Sequence, residues 1–277
     1  MMRIPDDYLQ AQVALALAED IGRGDVTAAL LPAEQVATAR ITSREDAVLC
    51  GTAWVDEVFR QLDPAVTLDW HLPDRASLHA GQTLCHLTGP VRSLLTGERT
   101  ALNFLQTLSG TATLTRRYVD AVAGTGCRIL DTRKTLPGLR LAQKYAVQCG
   151  GGENHRLGLY DMVLIKENHV TAAGSLPDAI AAARACAAGL QVEVEVENLA
   201  QLEEALDTGV DRILLDNMDP AMLQRAVGLA AGRVPLEASG GITLDTIREV
   251  AKTGVDYISV GAITKHVQAV DLSLRIV

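Results

Sequence analysis

Seven Lys and Arg fall between positions 128 and 169 against four acids, a local net of +3. They are Arg128, Arg133, Lys134, Arg140, Lys144, Arg156 and Lys166, with His155 and His169 among them. The rest of the chain holds 18 basic and 30 acidic residues, so a protein of net charge −9 gathers its positive charge in one segment. Local cations attract and orient small anions whatever the total charge. A solvated basic face is the plainer reading of any charge run. Here Gly138, the triplet Gly150-Gly151-Gly152 and short apolar runs interrupt it, giving the loop-and-strand context in which sites are built.

Two further constellations could act on a bound polyanion. Ser239-Gly240-Gly241 follows an apolar run and precedes a helical pattern, and Gly261 follows another such run. Backbone N–H groups at such turns, backed by a helix N-terminus, bind phosphate. Ordinary turns would read the same way. The alternating QVEVEVEN places Glu193, Glu195 and Glu197 on one side of a strand. Only the acid nearest a site would act, through Mg²⁺ or sugar hydroxyls; the others read as outward, solvated carboxylates. Gly124-Thr125-Gly126 lacks the rest of a dinucleotide fingerprint.

The elements that must position these residues follow from periodicity. A helix is predicted over 6–20, with Asp6 as its cap, and short strands over 36–43, 47–51, 65–70 and 83–88, with a helix near 53–60. His71, His79 and His86 fall at no close ligand spacing and read as surface or packing residues. Residues 92–123 form a long helix that Ser109-Gly110 loosens; Arg99 on it, beside Glu98, reads as a surface ion pair. From 124 onward strands at 128–131, 161–166, 191–196, 212–216, 235–239 and 256–260 alternate with helices at 175–188, 199–208, 219–230 and 243–253, the last capped by Thr243. The alternation suits a βα barrel or a doubly wound sheet. Asp131, Lys166, Glu195, Asp216, Ser239 and Gly261 close one strand after another, and in barrels that face carries the site.

The 277 residues suit one large α/β domain or two. Net acidity argues against a dedicated nucleic-acid binder. No apolar run approaches the roughly 18 residues of a membrane span, and the N-terminal residues carry no signal core. Cysteines at 50, 85, 127, 149 and 186 form no CxxC pair and fit reduced thiols in a cytoplasmic protein.

Five long motifs then stand in order: TRKTLPGLR at 132–140, KYAVQCGGGENHRLGL at 144–159, DMVLIKENH at 161–169, EASGGI at 237–242 and SVGAITKHV at 259–267. With GDVT at 24–27 and GERTALNFLQ at 97–106 they resemble the quinolinate phosphoribosyltransferase family over nearly the whole chain. The resemblance implies transfer of a phosphoribosyl group from 5-phosphoribosyl 1-diphosphate to quinolinate with Mg²⁺, releasing diphosphate and CO2. It implies an N-terminal α/β sandwich over 1–110, a seven-stranded open α/β barrel over 111–267, a tail at 268–277 returning to the first domain, and a homodimer or larger assembly. By similarity Arg133, His155, Arg156, Lys166 and a partner's Arg99 bind quinolinate. Lys134, Glu195, Asp216 and Lys166 are the catalytic set, and Glu195 and Asp216 meet Mg²⁺ directly or through substrate. Ser239, Gly240, Gly241 and Gly261 hold the 5′-phosphate. Lys265 and His266 have no role assigned. The alternatives are a paralogue associated with molybdate transport, against which the IKENH context of Lys166 weighs, a Schiff-base lyase using Lys166, and a non-catalytic anion binder.

Overall fold

The computed structural model describes residues 2–277. In chain order the first elements are α1 (Asp6–Ile21), β1 (Val36–Ser43), β2 (Ala47–Val48), α2 (Thr52–Leu62), β3 (Thr67–Trp70), β4 (Ser77–Leu78), β5 (Thr83–Pro90) and α3 (Val91–Ala121). Then come β6 (Arg128–Leu130), α4 (Arg140–Cys149), β7 (Val163–Ile165), α5 (Glu167–Ala173), α6 (Leu176–Cys186), β8 (Val192–Val196) and α7 (Leu199–Leu206). The chain finishes with β9 (Arg212–Asp216), α8 (Pro220–Ala230), β10 (Leu236–Ser239), α9 (Ile247–Ala251), β11 (Tyr257–Ser259), α10 (Ala262–Lys265) and β12 (Leu272–Ile276).

Two compact units result, and the chain visits the first three times: up to Arg116, at Leu136–Gly151 and at His266–Val277. The first unit is built on an antiparallel sheet of order β12-β1-β5-β3. Strand β1 alternates, burying Ala39, Ile41 and Ser43, as a strand with one packed face must. Trp54 and Phe59 of α2 are fully buried beside Leu94, Leu102, Leu105 and Leu108 of α3. Burial of each such side chain contributes about 1.5–3 kcal/mol. Asp6 does not cap α1: Pro5 holds that position without a side-chain bond, and Asp6 and Asp7 act as first-turn charges on the helix dipole. His86 Nδ1 lies 3.0 Å from His71 Nε2, so cross-strand pairing joins two histidines that sequence spacing kept apart.

Residues 140–149, read from the sequence as loop and strand, are the helix α4. It buries Ala142, Ala146 and Cys149 in the first unit's core, and Lys144 is fully buried on it. The expected loosening of α3 at Ser109-Gly110 is absent. Ser109 Oγ instead accepts the Cys50 N–H at 3.0 Å, and a Cβ at Gly110 would lie 2.1 Å from the Gln268 carbonyl oxygen. Glycine is there for a close approach of two backbones.

The second unit holds a parallel sheet of order β6-β11-β10-β9-β8-β7. Its strands are short and buried on both faces, as VEVEV in β8 shows with four of five residues buried. Ser175, Asn198 and Asp219 accept backbone N–H groups at the starts of α6, α7 and α8, and so fix where each crossover helix begins. Six strands form, and an isolated parallel bridge between Leu130 and Glu153 stands where a further strand would lie beside β6. Thr243 does not cap a helix. A turn stabilised by Thr246 occupies 243–246, and α9 starts only at Ile247.

Gly110→Ala is expected to destabilise the protein by about 1–3 kcal/mol despite alanine's better helix propensity, because the added carbon overlaps a backbone oxygen. Urea unfolding followed by circular dichroism measures this; an unchanged or raised midpoint contradicts it.

Candidate active site

The second unit gathers Arg133, Lys134, His155, Arg156, Lys166, Glu195, Asp216, Ser239, Gly240, Gly241 and Gly261. Parallel pairing sets their level: Asp216 and Ser239 are direct register partners at the ends of β9 and β10. Lys166 follows β7, where its backbone N–H donates to His169 Nδ1 at 2.9 Å and its ammonium pairs with Glu195 at the end of β8. Asp216 is held by the Asn217 amide at 2.8 Å. Burial raises the Asp216 pKa, Glu195 raises it further, and Lys166 and Lys134 oppose the rise. Those four charges therefore share one electrostatic neighbourhood.

Two loops are shaped by contact with these side chains. Asn217 adopts φ +53 and its N–H donates to the Ser239 carbonyl at 2.9 Å. A Cβ at Gly240, where φ is +102, would sit 2.0 Å from Asn217 Oδ1, so only glycine fits. At Gly261 a Cβ would lie 2.9 Å from Lys134 Cδ, and Thr264 Oγ1 donates to the Lys134 carbonyl at 2.8 Å. Lys134 is thus laid along the loop after β11. The helix N-terminus expected behind Gly241 is replaced by the turn at 243–246, so anion binding there rests on loop N–H groups.

Arg156 has its pKa lowered by burial and then by the nearby Arg133 guanidinium. Glu193 and Asp161 oppose that fall, and two neighbouring guanidiniums suit a ligand with more than one carboxylate. Asp131, fully buried, accepts from His155 N at 2.9 Å and from Asn154 Nδ2 at 2.6 Å, which shapes the loop carrying Arg156. Arg99 belongs to the first unit and is exposed on α3.

Comparison with known proteins identifies the family. The family models described as quinolinate phosphoribosyl transferase, N-terminal and C-terminal domain, match residues 25–109 and 111–275. The chain belongs to the quinolinate phosphoribosyltransferase family. It superposes on the nicotinate-nucleotide pyrophosphorylase structure from Francisella tularensis with a TM-score of 0.97 at 47% identity, covering 99% of this chain and 98% of that one. The chloroplastic nicotinate-nucleotide pyrophosphorylase [carboxylating] of Oryza sativa subsp. japonica is 43% identical over 98% of this chain and 78% of its own length. The probable enzyme of that name from Bacillus subtilis (strain 168) is 43% identical over 93% and 90%.

In this family member a layer beneath the strand ends was not legible as functional. Glu193, read as solvated, is fully buried, as is Glu237. His155 Nε2 lies 2.9 Å from Glu193 Oε2 and 3.5 Å from Glu237 Oε2, and Arg212 Nη1 lies 3.0 Å from Glu237 Oε2. Arg212 and Arg128 both sit over the Tyr257 ring, at 4.3 and 4.2 Å. The signal available in the sequence was an acid flanked by apolar residues in each of two buried strands, VEV in β8 and LEA in β10.

Burial pushes both carboxyls up to about 7, and for Glu237 the Glu193 charge adds to the rise. Neither Glu193 oxygen has a well-aligned hydrogen bond, although His155 Nε2 approaches one of them at 2.9 Å. The folded pKa exceeds the unfolded one, so this contribution to stability is full below the ordinary value of 4.5 and is lost as pH rises through about 7. Glu237→Gln is therefore expected to flatten the decline in urea stability across that window. Equal slopes for the two proteins would contradict the assignment.

Proposed function

We propose that this protein joins quinolinate to 5-phosphoribosyl 1-diphosphate and yields nicotinate mononucleotide, diphosphate and CO2 for NAD biosynthesis. The observation that carries the reading is the Arg133–Arg156 pair sharing one parallel-sheet unit with Lys134 laid along the Gly261 loop. Quinolinate is a flat dianion with adjacent carboxylates, and guanidinium forks bind carboxylates bidentately. Arg133, Arg156 and Lys166, with His155 beside them, hold it, and Ser239, Gly240, Gly241 and Gly261 hold the 5′-phosphate of the donor.

Lys134 stabilises the diphosphate as its bond to the sugar breaks. The positive charge that develops on the sugar is favoured by Glu195 and Asp216. The pyridine nitrogen forms the new bond to that carbon. The ring is then cationic, so the C2 carboxylate departs as CO2 and leaves its bonding pair on the ring, which takes up a proton. Lys166, ion-paired with Glu195, is positioned to stabilise this step. Glu195 and Asp216 also fit Mg²⁺, a hard cation commonly bound by one or two carboxylates plus substrate phosphates, and the Asp216 carboxyl, raised by burial and then by the Glu195 charge, is the sort of group a cation would relieve. Mg²⁺ would supply charge neutralisation for the leaving diphosphate. Among the described residues no helix is long and apolar enough to cross a membrane.

The direct assay supplies quinolinate, the phosphoribosyl donor and Mg²⁺ and follows nicotinate mononucleotide. Nicotinate lacks the 2-carboxylate and so forfeits the contacts made to it, and quinolinate should be preferred by about 10⁴-fold. Comparable turnover of nicotinate would sink the reading.

The exposed Arg99 completes the site of a partner subunit in a two-fold dimer, which makes two composite sites. Arg99→Ala and Lys166→Ala homodimers should each be nearly inactive. After subunit exchange about half the dimers are mixed and each has one intact site, so roughly a quarter of wild-type activity returns. No recovery after proven exchange would refute the shared site.

A further inference from the structure

The buried layer under the strand ends contains more than a sheet interior needs. Glu193, Glu237 and His155 offer three donor atoms within 4.8 Å of one another, a spacing a metal ion could use. The Arg212 guanidinium already stands 3.0 Å from Glu237 Oε2 and supplies the positive charge, and Arg212 is itself fixed over the Tyr257 ring. A polar cluster this deep costs several kcal/mol to desolvate and is not explained by packing. Toward the binding loop it touches His155, and the Glu193 charge also acts on the Arg156 guanidinium. Arg156 N–H donates to His155 Nδ1 at 2.8 Å, which leaves the ring proton on Nε2, and Nε2 faces Glu193 at 2.9 Å. The His155 side chain is 8% exposed and Glu193 is at 0%, so both ring nitrogens are committed inside the protein. The backbone N–H that the ring receives belongs to the residue whose guanidinium stands beside Arg133.

We propose that Glu193 is a positioning residue that, with Glu237 behind it, fixes the His155 ring and through Nδ1 the backbone of Arg156. It thereby sets how tightly the paired-carboxylate substrate is held. The proposal rests on the reading of Arg156 as a quinolinate ligand. It assigns His155 to orientation rather than to substrate contact. Direction follows from register: Glu193 is paired with Arg212 across β8 and β9, and Glu237 with Tyr257 across β10 and β11, so four strands brace one imidazole.

The test compares Glu193→Ala with Glu193→Gln. The alanine variant removes the oxygen that Nε2 approaches at 2.9 Å, while glutamine keeps an oxygen there. Glu193→Ala is expected to raise the KM for quinolinate by on the order of tenfold while the KM for the phosphoribosyl donor stays within about twofold, the usual scale for a misplaced binding group. Glu193→Gln should recover most of that loss. Equal rises in both KM values, or glutamine no better than alanine, would mean a merely structural role and overturn the proposal. An unchanged quinolinate KM in Glu193→Ala would also overturn it. Nitrogen-15 NMR of the imidazoles in the wild-type protein is independent of folding in the variants and of the substrate. It should show His155 protonated on Nε2 with a slowly exchanging proton, and protonation on Nδ1 would refute the arrangement. If wild-type protein does not turn over quinolinate, the functional reading fails, and the NMR result still judges the positioning.

Discussion

Two carboxylates inside a parallel sheet are the constraint around which the second unit is built. Glu193 and Glu237 cannot be charged there without partners, because an isolated buried charge is far too costly. The compensation is spread over separate strands: Arg212 on β9, Tyr257 on β11 beneath both Arg212 and Arg128, and His155 on the loop after the Glu153 bridge. Removing one member of such a cluster typically costs about 3–5 kcal/mol, since the others stay buried and unmatched. The layer therefore binds strands that are distant in sequence into one arrangement, and it does so directly below the residues whose spacing matters.

Above that layer the strand ends behave as fixed points. Asp216 and Ser239 are level because β9 and β10 are in parallel register, and Asn217 links them by donating its amide to Asp216 and its backbone N–H to Ser239. Lys134 reaches the Gly261 loop because that glycine has no side chain to block it. Loops carry these groups, and the loop after β9 is tied to the end of β10 by the Asn217–Ser239 hydrogen bond. That geometry favours charges held in place before substrate arrives, the condition under which electrostatic stabilisation is strongest.

Much of this was legible in the residues, and the failures have physical causes. Strand β9 was read with its observed bounds because RILLD between polar turns has only one reasonable period. Residues 140–149 were misread as loop because the flanking Gly138 and Gly150 dominate a local reading, whereas the helix is decided by Ala142, Ala146 and Cys149 finding the first unit's core. The helix at 243–253 shrank to α9 because Thr246 side-chain bonding favours a turn over an early start. Glu193 was assigned to solvent because alternation reveals which side a residue faces and not what lies on that side. Burial on both faces of a parallel strand is tertiary information.

Strand β12 lies after the whole of the second unit in chain order, yet it forms the outer strand beside β1. During vectorial synthesis β1 emerges before the second unit and its partner only after it. For most of the elongation time β1 is an open edge, and open edges are templates for wrong pairings between chains. The fold thus makes completion of its first sheet a report that the second unit has been made. Ribosomal stalling ahead of Leu272 would release a protein with an intact parallel unit and a sticky antiparallel one, a distinct target for chaperones and proteases.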